Sequence, residues 1–244
     1  MRKEFIENLV RNEQLNYRGQ SGSRLVNLTD AVFGIALTLL IFTVSEADSF
    51  SDLLIFAKSF PALLMSIMFL FLIWKEHVSF ALVYPLHGGI LQSLSVLFLA
   101  LVIFYVYPLR FLTRLLTNLF FRSGIDLNIE STQIPDLMIY YGLVTFALYF
   151  VLSLFYFFAY RQKEHTGLST YEVFFAKWHG YRMLLMALVP LLSVLLSWIF
   201  KGSSIVLASV CGGMIYGVYP VLMQIWSKGF KKNELLINED GNLP

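Results

Sequence analysis

Charge is scarce in this chain. Asp, Glu, Lys and Arg make up 14% of its 244 residues, against roughly a quarter in soluble globular domains. The mean hydropathy is +0.68, which excludes an ordinary water-soluble domain. Cysteine is scarcer still. Cys211 stands alone inside an apolar run, so an intrachain disulfide and dithiol redox chemistry are excluded. No Ser/His, Asp/Asp or His-x-x-x-His arrangement lies at membrane depth, which sets aside an intramembrane enzyme. No cofactor, metal site or nucleic-acid partner is expected. The leader at 1–23 is polar and basic, with Arg2, Lys3, Arg11 and Arg18 and no apolar core, so it is not expected to be a cleaved export signal.

Long apolar runs are abundant. Six of them lie near 25–44, 55–76, 90–109, 137–160, 181–200 and 205–226, each about the 20 residues a helix needs to cross a bilayer. The expected fold is an all-α integral membrane protein with six transmembrane helices. A membrane domain at 24–226 is flanked by an N-terminal segment, 1–23, and a C-terminal tail, 227–244. Pro61 falls in the early turns of the second span, where proline does least harm. Between the third and fourth spans, Arg110, Thr113, Arg114, Thr117 and Asn118 recur at helical spacing. That stripe reads as an interfacial helix or as an outward extension of the third helix. Residues 161–179 read as a polar connection in which Ser169 and Glu172 fit a capping box. His87, His165 and His179 are expected at the surface, and the tail is expected to fray. Ser209, Gly213 and Gly217 form a small-residue ladder that permits close helix approach, within or between subunits.

Six spans put both termini on one side. That side carries 13 of the 18 Lys and Arg, and the other carries Lys58, Arg110, Arg114, Arg122 and Lys201. The asymmetry predicts cytoplasmic termini in a multi-pass protein of the cell membrane. On the opposite side Glu46, Asp48, Asp52, Asp126, Glu130 and Asp136 form a mild excess of negative charge.

The first run carries Asp30, and a carboxylate inside a membrane helix costs roughly 2.5–3.5 kcal/mol on insertion scales. On a wheel with Ile35 at zero, Leu39, Phe42, Leu28 and Arg24 all fall within about 40°, and Thr38 lies at the stripe's edge, about 60° away. Asp30 lies about 140° away and Thr29 about 120° away, so both face elsewhere. Asp30 therefore points into the protein. Trp74 and His77, at the matching end of the antiparallel second span, are its candidate donors. A cluster of Thr29, Asp30, Trp74 and His77 would offset the carboxylate's cost and lock two helices together. The plain alternatives are a lipid-facing apolar stripe and simple interfacial anchors.

Arg24, Leu28, Thr29 and Asp30, in the order Arg-x-x-x-Leu-Thr-Asp, resemble the first-helix motif Arg-x-x-x-Phe-Ser-Asp of the transmembrane-protein-175 family of endolysosomal potassium channels and their prokaryotic relatives. Trp74 and His77 are similar to that family's second-helix signature, and Pro108 fits its pattern near the end of the third span. The resemblance implies a homotetramer in the lipid bilayer whose first helices line a central pore permeable to potassium ions, with weak to moderate selectivity. Carried over residue by residue, it implies a hydrophobic constriction at Ile35, Leu39 and Phe42, with Thr38 beside it. Arg24 on the same stripe would then need to be neutralised or turned aside. The chain departs from the family at Leu28 and Thr29, which replace Phe and Ser, and at Phe42, where an aliphatic residue is usual. No Thr-Val-Gly-Tyr-Gly run appears, so a carbonyl-cage filter is excluded. The competing expectation is a proton- or ion-coupled transporter in which Asp30 titrates. Against it stand a single acid within the spans, no inverted repeat and no polar midplane site.

Overall fold

The computed structural model describes residues 15–16, 24–41, 49–84, 88–121 and 129–240. Within them the chain is all-helical: α1 (Arg24–Ile41), α2 (Phe50–Val83), α3 (Gly89–Phe121), α4 (Ile134–Arg161), a one-turn helix (Lys163–Thr166), α5 (Thr170–Lys201), α6 (Ile205–Met214) and α7 (Tyr219–Asp240). Single 3₁₀ turns precede α4 and join α6 to α7. Six segments are long and apolar enough to cross a membrane, the sixth running through α6 and into α7. Phe42, His87 and Arg122 lie outside the described residues.

Several helices outrun their apolar cores. α2 begins at a capping box in which the Ser49 side chain accepts from the Asp52 amide and Asp52 accepts from the Ser49 amide. It then runs past Trp74 to Val83, so Pro61 sits about three turns in rather than in the early turns. Ser169 and Glu172 form the expected box, but the helix they start continues unbroken to Lys201. Residues 170–179 are therefore helix, and His179 packs inside the bundle instead of lying in a surface loop. The basic stretch after residue 226 is helical too, where a frayed tail was expected.

The stripe at 110–122 resolves in favour of an extended third helix, continuous from Gly89 to Phe121. Its threonines face inward: Thr113 and Thr117 are fully buried. The Thr113 hydroxyl lies 2.7 Å from that of Ser66 on α2, and Thr117 donates to the Thr113 carbonyl at 2.7 Å. Each buried hydroxyl thus has a partner, as burial requires.

The tightest packing is between α4 and α5. A Cβ at Gly142 would come within 2.9 Å of the Pro190 carbonyl oxygen and 2.5 Å of Val194, so only glycine lets these backbones meet. At the next contact Ser153 donates to the Gly180 carbonyl at 2.9 Å. Pro190 has no N–H to offer the Met186 carbonyl one turn back. Tyr219 fills the gap, its hydroxyl donating to that oxygen at 2.8 Å. On α6 the close approach is made by Gly212, where a Cβ would lie 2.2 Å from Ser197 Oγ, while Gly213 and Gly217 have nothing within 4 Å. A side chain at either of the ladder's glycines would thus meet no other side chain among the described residues.

Candidate pore helix and its brace

α1 is sorted into two faces. Thr29, Val32, Phe33, Ala36 and Leu40 are buried, against α2 and α3. Leu28, Ile35 and Leu39 are 50%, 56% and 38% exposed, and Arg24 and Thr38 share that open face. The wheel's stripe is therefore the surface the chain leaves uncovered. The exposed Thr38 hydroxyl turns back to donate to the Gly34 carbonyl at 2.9 Å, and its oxygen keeps both acceptor lone pairs.

Asp30 lies away from that face, and the Trp74 indole N–H donates to its Oδ1 at 3.1 Å. Phe71, one turn earlier on α2, packs its ring 5.4 Å from that of Trp74. Asp30, Gly34, Leu37, Leu70 and Trp74 are among the residues lining a crevice of about 360 Å³ between α1 and α2. The pairing expected from the antiparallel arrangement is present.

The other two members of the expected cluster are elsewhere. The single hydroxyl proton of Thr29 is spent on the Leu25 carbonyl of its own helix, at 2.9 Å. His77 is buried deeper than Trp74, stacked on Phe98 at 4.9 Å and edge-on to Phe155 at 5.7 Å. Neither of its ring nitrogens has a hydrogen-bond partner among the described residues. The reason is helical phase. His77 stands three positions after Trp74, offset by about 60° and nearly one turn further along α2, so when Trp74 faces α1, His77 reaches the rings of α3 and α4.

One tie escaped the sequence reading. Arg182 on α5 donates to Glu76 on α2 in a half-buried ion pair. The legible signal was an acid and an arginine at the same end of two spans, where an unpaired charge is expensive. A second tie is Glu172, fully buried, which accepts from the Ser169 amide at 2.8 Å and from the Asn16 amide at 2.9 Å. Its backbone carbonyl also accepts from the Tyr84 hydroxyl at 2.6 Å. The described part of the N-terminal segment is thereby fixed to the start of α5. Among the described residues no group of three or more His, Cys, Asp or Glu is placed to hold a metal.

Comparison with known proteins places this geometry. Residues 24–105, which hold α1, the Asp30–Trp74 bond and most of α3, match the family described as endosomal/lysosomal potassium channel TMEM175. A protein of Marivirga tractuosa named "Potassium channel" is 30% identical over 250 residues, spanning 98% of this chain and all of that protein. The crystal structure of the potassium channel MtTMEM175, as its T38A variant with a nanobody–MBP fusion, superposes with a TM-score of 0.79 at 29% identity. That match covers 91% of this chain and 98% of the other. A family match that begins at the first residue of α1, identity over nearly the whole chain and a helical fold shared over 91% of it make this chain a multi-pass membrane protein of the TMEM175 potassium-channel family.

Proposed function

We propose that the chain is one subunit of a potassium-permeable channel of the cell membrane, with both termini cytoplasmic, in which four copies of α1 surround the ion path. The observation that carries this reading is the division of α1. One face is packed and tied to α2, and the other presents Ile35 and Leu39 uncovered. The names of the relatives support potassium as the permeant ion.

In this arrangement Ile35 and Leu39, one turn or about 6 Å apart along the axis, form stacked hydrophobic rings. A cation passes only while the constriction is wide enough to keep it partly hydrated, and narrowing empties the rings of water. Thr38 sits beside the rings, and its hydroxyl oxygen, a donor to Gly34 with both lone pairs left to accept, offers a passing cation a ligand. Phe42 is assigned to the same constriction from its place in the sequence. Arg24 stands at the first residue of α1, at the mouth of the path rather than its waist. No cofactor takes part. Asp30 acts on conduction only by fixing the angle of α1, so it is a positioning residue and not an ion ligand.

The test is potassium flux from liposomes holding the purified protein, together with its oligomeric state in detergent. A tetramer with conductive flux, increased by Ile35→Asn and indifferent to a proton gradient, is the expected result. A monomer, or flux strictly coupled to protons, would overturn the reading in favour of a carrier.

A further inference from the structure

At the same end of the bundle as the brace, α5 and α7 enclose a second cavity, of about 380 Å³, within the ~300–1,000 Å³ range of small-ligand sites. Its walls include Phe175, Trp178, Arg182, Met223, Trp226 and Phe230. The aromatic part is a connected group: Trp178 and Trp226 have ring centroids 4.9 Å apart, and Phe230 lies 6.1 Å from Trp178. His179 lines the cavity as well. Its Nδ1 faces the Phe175 carbonyl at 3.0 Å, and since a carbonyl only accepts, that nitrogen carries the hydrogen.

Three donors in these walls have nothing to donate to. Trp178 Nε1, Trp226 Nε1 and Arg182 Nε are buried without a hydrogen-bond partner among the described residues. A buried donor left unpaired is costly, and three around one cavity call for a shared acceptor. An indole N–H and a guanidinium can only donate hydrogen bonds, so these three groups are satisfied only by a ligand that brings acceptor atoms. The other edge of Arg182 is held by Glu76, which fixes the guanidinium while leaving Nε available. Lys177 adjoins Trp178 in sequence, and the exposed Lys228, Lys231 and Lys232 follow on α7, but none of the four lines the cavity. The nearby acids are engaged, Glu76 with Arg182, Glu172 with two backbone amides and Glu234 with the Tyr171 hydroxyl.

We propose that this cavity binds a phosphate ester, its oxygens accepting from Trp178, Trp226 and Arg182. A phosphate offers several acceptor oxygens at once, as three donors around one cavity require, and its charge suits the Arg182 guanidinium. The mostly apolar wall and the position at one end of two membrane spans fit the headgroup of an anionic phospholipid; a free phosphate has the same acceptor chemistry. The bound group joins α5 to α7, and through Arg182 and Glu76 it touches α2 two residues from Trp74.

The test uses the full chain in neutral detergent and reads its thermal unfolding midpoint with phosphatidylglycerol, with diacylglycerol carrying the same acyl chains, and with inorganic phosphate. Phosphatidylglycerol well above its Kd is expected to raise the midpoint by roughly 5 °C, and diacylglycerol to leave it unchanged. The Trp178→Phe/Trp226→Phe double variant keeps both rings and loses both indole donors. It is expected to unfold near the wild-type midpoint without ligand and to lose most of the shift. Trp226→Phe alone, expected to lose part of the shift, serves if the double variant does not purify. Equal shifts from inorganic phosphate and phosphatidylglycerol would support the site with a soluble phosphate as its ligand. No shift from either, an equal shift from diacylglycerol, or an undiminished shift in the variants would overturn it.

Discussion

α1 and the α4–α5 hairpin are both apolar helices of one bundle, yet they are held in opposite ways. Half of the most apolar window of α4 is buried within the chain, against 28% for α1. The hairpin is closed by shape: Gly142 admits the Pro190 carbonyl, and Ser153 bonds the backbone at Gly180. α1 has a thinner seam, with Phe33 and Leu40 packed inward and the Asp30–Trp74 bond as its long-range polar tie. The seam between α4 and α5 is complete within one chain, although only 33% of the α5 window is buried. A helix packed on one side awaits lipid, water or other copies of itself. The scaffold is thus separated from the element that meets the ion, and substitutions should separate them as well.

The largest effect is expected on the hairpin. Gly142→Ala drives a methyl against a backbone carbonyl that cannot move aside, and overpacking of this kind costs about 1–3 kcal/mol. Yield and monodispersity in detergent should fall sharply, whatever the ionic conditions. Next comes the tie itself. Trp74→Phe keeps an aromatic ring and removes the donor to Asp30; the bond is part-buried and Asp30 has a further interaction, so the loss is expected to cost about 0.5–1.5 kcal/mol. Thermal stability should drop, and the surviving protein should still conduct. Loss of conduction with stability intact would put Asp30 or Trp74 into permeation directly. On the open face the order reverses. Ile35→Asn should change stability by no more than about 0.5 kcal/mol while raising potassium flux and weakening discrimination among cations. The smallest effect tests the ladder on α6. Gly213→Ala meets nothing within the chain and should gain a few tenths to about 1 kcal/mol in helix propensity, read as a slightly higher unfolding midpoint. A fall in tetramer content would instead assign that face to a subunit contact.

The spans were legible because run length reports on bilayer thickness, and the α1 faces because helical phase is fixed at 100° per residue. Pairing Asp30 with Trp74 required only that two consecutive spans run antiparallel. Helix ends were less legible. α2, α5 and α7 continue into polar sequence because packed aromatic faces, such as Phe174 and Phe175 against Phe230, hold turns that hydropathy alone would end. Thr113 and Thr117 read as a surface stripe because spacing gives the face of a helix and not what lies across it. His77 was misassigned for the related reason that adjacency in a motif is not adjacency in space. The Arg182–Glu76 pair and the cavity between α5 and α7 bring together residues more than forty apart in sequence. No local pattern encodes such a meeting.

The central claim is that the uncovered face of α1 is the face the ion meets. It is tested most directly by thiol accessibility. Cys211 is the chain's only cysteine, so Cys211→Ser gives a background in which Ile35→Cys, Leu39→Cys and Ala36→Cys can be compared one at a time. The account expects a small charged thiol reagent to block potassium current at positions 35 and 39 and to leave position 36, on the buried face, untouched. Current unaffected at 35 and 39, or block at 36 alone, would contradict it.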